Sequence, residues 1–106
     1  MIYDNIKNFT RGWIIGDFKP SLLQTSAFEV AVLYHKKAES IAKHKHEHAI
    51  EYNVILSGCL EVNNEIVREN DIFIFDKNEV ANVKVLEDTK VLCIKTPSVP
   101  KDKVYV

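Results

Sequence analysis

The sequence predicts a single all-β domain, a sandwich or barrel of short strands. Three observations carry that prediction. Apolar residues fall in short runs or alternate with polar ones, the period-two signature of half-buried strands. Those runs are rich in Val, Ile, Phe and Tyr, which suit a pleated surface. They are also separated by turn-forming residues at the spacing of about 8–12 residues that an all-β fold requires.

The expected strands cover residues 13–15, 28–35, 41–46, 51–56, 60–62, 66–67, 72–75, 80–86 and 91–95. Turns are expected at Ser57-Gly58, Asn63-Asn64, Glu69-Asn70-Asp71, Lys77-Asn78 and Glu87-Asp88, where Gly, Asn and Asp accept the backbone angles of tight reversals. Only residues 19–26 leave room for a short helix, with Pro20 at its first turn. No repeat, linker or low-complexity stretch interrupts the pattern, so residues 1–106 form one domain. Trp13, Phe28, Tyr34, Phe73 and Phe75 are expected in the core or at an interface. The segment Lys101-Asp102-Lys103 is expected to be a solvated tail.

Composition excludes several classes of function. Hydrophobic residues make up 46% and charged residues 27%, with a formal net charge of −1, and the lysines are spread among Glu and Asp. That balance gives no electrostatic footprint for nucleic acid. No apolar run approaches the ~20 residues that span a bilayer, so no membrane partner is expected. Residues 1–10 are too polar for a signal peptide, which places the chain in the cytoplasm. Two cysteines, Cys59 and Cys93, make no disulfide framework and are expected as reduced core thiols.

The chemistry concentrates between Lys43 and Gly58, KHKHEHAIEYNVILSG. His44 and His46 are two apart, so a strand presents both on one face. Glu51 has the wrong parity for the same uninterrupted strand, so a turn within residues 47–50 must bring it round to face the histidines. The following strand ends at Gly58, a residue free to adopt positive φ. Asn53 and Ile55 share parity with Glu51, which makes Asn53 a candidate contact in a ligand pocket. His48, in the expected turn, is a candidate acid/base or an additional nitrogen donor.

His-x-His, four residues, Glu, six residues, Gly resembles the first motif of the cupin superfamily position by position. FTRGWIIGDFKPSLL and EDTKVLCIKTPSVPKDK are similar to small stand-alone bacterial cupins of uncharacterised function, so the resemblance spans nearly the whole chain. It implies a single-domain cupin double-stranded β-helix, a jelly-roll barrel. It also implies that His44, His46 and Glu51 bind a divalent metal in the barrel mouth, with Gly58 at a hairpin turn. The second motif is incomplete. Ala81 stands where the resemblance puts a ligand histidine, and Asn78 replaces glycine in the turn before it.

Two histidines and a carboxylate leave coordination positions open, and their chemistry suits Fe, Mn, Zn, Ni or Co. The resemblance suggests a metal-dependent isomerase, epimerase, lyase or dioxygenase acting on a small polar molecule, sugar-like or an organic acid. The alternative is a non-catalytic small-molecule or metal-binding sensor, and a third reading is a degenerate site. Strand edges and the apolar segments IIGDF and KVYV predict a homodimer.

Overall fold

The structure, a computed structural model, describes all 106 residues. Eleven strands follow one 3-10 turn at Ile6–Asn8: β1 (Trp13–Gly16), β2 (Leu23–Gln24), β3 (Glu29–His35), β4 (His44–His46), β5 (Ile50–Ser57), β6 (Cys59–Val62), β7 (Glu65–Arg68), β8 (Ile72–Phe75), β9 (Val83–Val85), β10 (Thr89–Thr96) and β11 (Lys103–Tyr105). A six-stranded sheet runs β2-β1-β3-β10-β5-β8. The opposing layer is made of β7-β6-β9 and of β11-β4. Isolated bridges from Ser40 to Lys84 and from His44 to Ala81 join its two parts. No helix is long and apolar enough to cross a membrane.

Each of the nine expected runs contains a strand. Two strands escape the sequence pattern. β2 lies within residues 19–26, where a short helix was expected; instead Leu23 and Gln24 pair in parallel with Ile15 and Gly16 of β1. The amides of Leu22 and Thr25 donate to the carbonyls of Ile14 and Gly16, so this backbone is satisfied by a neighbouring strand rather than within a helix. β11 falls in the tail, where Lys103, Val104 and Tyr105 pair with His46, Lys45 and His44. The solvated-tail expectation is thereby corrected: Asp102 is buried, only 7% exposed.

The turn chemistry follows the residues. Asn63 and Asn64 both take positive φ (46° and 69°) in the β6–β7 hairpin, as a two-residue turn matched to strand twist requires. Asn78 is left-handed at φ 62°, standing in for glycine. At Gly58 φ is 99°, and a β-carbon there would overlap the Asp88 carbonyl oxygen and the Thr89 hydroxyl. The fully buried Thr89 hydroxyl accepts from the Cys59 amide (3.0 Å), fixing the start of β6.

Between the two layers lies the core of Ile55, Leu60, Val62, Val67, Phe75, Ala81, Val85 and Val91. The inner face of the large sheet is graded along the strands. One cross-strand row joins Phe75, Glu51, Lys95 and Glu29; the next joins Phe73, Asn53, Cys93, Ala31 and Trp13; a third joins Ile55, Val91 and Leu33. Charge therefore gathers at one end of the layer, and apolar packing fills the other.

Candidate functional site

The charged end of the sheet and the strand β4 meet around a pocket of about 130 Å³. His44, His46, Glu51 and Asn53 all line it, together with Phe73, Phe75, Ala81 and two lysines, Lys95 and Lys103. A larger cleft of about 930 Å³ lies alongside and shares Trp13, Leu33, His35, Ile41, Lys95 and Lys103 with it.

Strand parity sets the two histidines on one face, with both side chains buried, and their rings meet edge-on with centroids 5.4 Å apart. The Nδ1 of His44 is 2.8 Å from the Ala42 carbonyl oxygen and so carries the proton it donates. That leaves Nε2 as the free nitrogen, an arrangement common in metal-binding histidines. Burial pushes the His44 pKa down, an effect that the hydrogen bond to Ala42 opposes. At neutral pH the ring is neutral.

His46 is more unusual. It is 4% exposed, and neither ring nitrogen has a hydrogen-bond partner. Its Nε2 lies 3.3 Å from Glu51 Oε1 without the alignment of a hydrogen bond, and its Nδ1 lies 3.9 Å from Asp102 Oδ2. Leaving a buried polar group unpaired costs about 1–3 kcal/mol, so each such group calls for a partner. Glu51 accepts a hydrogen bond from the Asn53 side-chain amide at 3.0 Å. Burial alone would raise the Glu51 pKa; the His46 ring, the Asn53 amide and the nearby Lys95 outweigh it and hold the carboxylate down to about 2.

These donors fit a divalent ion in kind: two imidazoles with available nitrogens and one ionised carboxylate. The His46–Glu51 pair is preformed and the His44 ring stands beside it. No group of three or more His, Cys, Asp or Glu side chains is assembled in metal-holding geometry. Ala81 sits directly across from His44: its amide donates to the His44 carbonyl (2.7 Å), and the His44 amide donates back (3.3 Å). The position of the missing second-motif histidine therefore adjoins the pocket, occupied by a methyl group.

His48 is not brought to the pocket. Its side chain is 66% exposed and its Nδ1 is held at 2.7 Å from Asp102 Oδ1. The candidate acid/base from the sequence thus belongs to the outside of the turn, because Asp102 draws it there. The sequence reading missed Asp102, Lys95 and Lys103. Asp102 ties the turn after β4, accepting from the amides of His48 (2.9 Å) and Ala49 (3.0 Å). Lys95 is ion-paired with Glu29 at 3.2 Å and lies 4.7 Å over the Trp13 ring. Glu29 is itself fixed by the buried Ser98 hydroxyl, which donates to it at 3.1 Å. Partial burial and the cation Lys95 lower the Lys103 pKa, which Glu51 opposes. Alternation around a run such as VLCIK marks Lys95 as facing inward; nothing local marks Lys103 or Asp102.

No family model matches the sequence, and no curated protein sequence matches it either. Solved structures do. An uncharacterised conserved protein with a double-stranded β-helix domain from Klebsiella pneumoniae superposes with a TM-score of 0.73 at 17% identity, over 98% of this chain and 90% of that one. The DMSP lyase DddQ from Ruegeria pomeroyi gives a TM-score of 0.74 at 13% identity, over 89% of this chain and 49% of that one, so this chain spans about half of the lyase. A cupin-2 domain containing protein from Shewanella frigidimarina gives 0.59 at 12% identity, over 68% and 72% of the two chains. At such identities the likeness is one of fold. The chain has the double-stranded β-helix fold that these structures share. The all-β reading of the sequence and its resemblance to small stand-alone cupins agree with that fold.

Proposed function

We propose that His44, His46 and Glu51 bind a divalent metal, one of Fe, Mn, Zn, Ni or Co, and that the chain is a metal-dependent enzyme for a small polar molecule. The observation that carries this reading is His46, a buried imidazole with both nitrogens unpaired, facing an ionised carboxylate. A bound cation would satisfy His46 Nε2 and Glu51 together. When bound, such an ion supplies Lewis acidity, polarising an oxygen of the substrate or lowering the pKa of a water. The chain's own groups do the rest. Asn53 holds the Glu51 carboxylate in place, Ala42 fixes the His44 tautomer, and the apolar side chains of Leu33, Ile41 and Phe73 exclude water from the substrate. The lyase among the structural neighbours supports an enzyme by analogy of fold only.

Elemental analysis of the purified protein, followed by titration of the metal-free form with each ion, tests the proposal. Binding at micromolar levels that Glu51→Ala abolishes is expected. Absence of binding by every ion would sink it.

A second reading, a non-catalytic binding module, is favoured by the placement of His48 outside the pocket, which removes the one histidine proposed as an acid/base. A ligand that raises Tm without being consumed would support it over the enzyme.

We further propose that a second copy of the chain covers the outer face of the large sheet. Two adjoining ladders there, Ile74–Tyr52–Ile94–Val30 and Ile72–Val54–Leu92–Val32, contain no charge. Ile72 is 67% exposed and Ile74 is 52% exposed. Solvated faces of antiparallel sheets are ordinarily polar. β8 is also an open edge, so one two-fold contact would cover both face and edge. Light scattering is expected to give a dimer; a monomer at tens of micromolar overturns this. Two unpaired, buried thiols support a cytoplasmic location for the assembly.

A further inference from the structure

The strand that carries both histidines has one strand partner, the last strand of the chain. Lys103 of β11 lies opposite His46 of β4, and Tyr105 lies opposite His44. Backbone bonds continue that pairing past both ends of β4. The Val106 amide donates to the Lys43 carbonyl at 3.1 Å, and the Glu47 amide donates to the Asp102 carbonyl at 3.3 Å. The other side of β4 meets only residues 78–81, through the His44–Ala81 bridge and the Asn78 amide on the His46 carbonyl (2.7 Å).

Asp102 leads into β11, and its carboxylate arrives behind His46. The imidazole stands between two carboxylates, with Glu51 at Nε2 (3.3 Å) and Asp102 Oδ2 at Nδ1 (3.9 Å). The Asp102 side chain is 5% exposed, so this second carboxylate is as buried as the ring it faces. The 3.9 Å separation is about 1 Å longer than a hydrogen bond, and Nδ1 has no other partner. Oδ2 accepts the Ala49 amide at 3.0 Å, and a carboxylate oxygen has a second lone pair for another donor.

A neutral imidazole that gives Nε2 to a metal keeps its proton on Nδ1, and a buried N–H there needs an acceptor. We propose that Asp102 is a positioning residue of the metal centre: it accepts the Nδ1 proton of His46 when Nε2 is engaged, and so couples metal binding to the docking of β11. The inference rests on the reading of His44, His46 and Glu51 as ligands. It adds a residue from outside the Lys43–Gly58 run that suggested them. Linkage makes the coupling reciprocal, so a bound ion stabilises the docked β11 as much as docked β11 strengthens the site.

The test titrates metal-free protein with each candidate ion, as wild type and as Asp102→Asn. That change keeps the shape of the side chain and one oxygen for the turn, but removes the charge and one acceptor. Asp102→Asn is expected to bind about 10- to 100-fold more weakly. Asp88→Asn alters a carboxylate that accepts the Lys37 amide (2.8 Å) and does not line the pocket, so it should leave affinity unchanged.

Two readouts separate positioning from a merely structural role. In zinc-loaded protein, NMR follows the ring N–H protons of the two histidines. Asp102→Asn should shift or abolish the His46 Nδ1–H signal and leave that of His44, which is bonded to the Ala42 carbonyl, in place. By hydrogen exchange, the amides of residues 103–105 should become more protected in the wild type once an ion is bound, and Asp102→Asn should lose most of that gain.

Equal ion affinity in wild type and Asp102→Asn, an unmoved His46 signal, or β11 exchange indifferent to the ion each overturns the proposal and leaves the metal reading intact. If circular dichroism finds Asp102→Asn unfolded, the exchange of wild-type β11 with and without the ion decides alone. If no ion binds the wild type, the metal reading fails and this inference falls with it.

Discussion

Asp102 holds His48: the imidazole Nδ1 and the backbone amide of His48 lie 2.7 and 2.9 Å from the same carboxylate oxygen, while the second oxygen takes the amide of Ala49. A residue in the last ten of the chain thereby fixes the turn that separates His46 from Glu51. Removing this carboxylate strands two backbone donors near the pocket. Asp102→Ala is expected to destabilise the fold by about 2–4 kcal/mol in denaturant melts, and a loss under about 1 kcal/mol would show that the turn holds without it.

The same contact has a pH signature. Burial alone would raise the Asp102 pKa, but the His48 ring and the two amides outweigh it and hold the carboxyl below its ordinary value. A carboxylate whose pKa is lowered in the folded state contributes stability that is complete above the unfolded pKa, about 3.9, and is lost as pH falls through the folded one. The Tm difference between wild type and Asp102→Asn should therefore narrow as pH drops below about 4. A difference that stays constant to pH 2 would point to packing rather than charge.

His44 acts at a higher pH. Its pKa is lowered by burial, so on acidification the unfolded chain takes up a proton before the folded one does. Stability of the metal-free protein should fall as pH decreases below the unfolded value of about 6.5. His44→Gln should flatten that part of the Tm profile, and an unchanged slope would assign the effect elsewhere.

Ala81→His restores a nitrogen donor at the position facing His44. Metal affinity by titration is expected to rise about tenfold or more, as for a fourth ligand closing an open site. Weaker binding would mean that the pocket next to Ala81, itself only 2% exposed, does not accept the ring.

Cys59 and Cys93 are 6% and 1% exposed, and burial, with the Glu51 charge behind it, pushes the Cys93 thiol well above its usual pKa. Neither should react with a thiol reagent such as DTNB in the native protein, and both should react in guanidinium. Fast labelling of Cys93 at neutral pH would contradict its placement under the pocket.

What the sequence determined by itself were features written in neighbouring residues. Period-two alternation marked nine strands, Asn63-Asn64 and Gly58 marked their turns, and the spacing from His44 to Gly58 marked the pocket's first wall. All of these depend on local backbone geometry, which a few residues specify. Tertiary structure decided the rest. Leu23–Gln24 is a strand only because β1 offers it a parallel edge. Lys103–Tyr105 is one only because β4 does. Asp102 is buried because β11 returns against the histidine strand, and that same return carries Lys103 over the pocket and draws His48 away from it. The contacts of β11 and Asp102 join residues more than fifty positions apart in sequence, and no local pattern of charge or hydropathy encodes which distant strand a polar segment will meet.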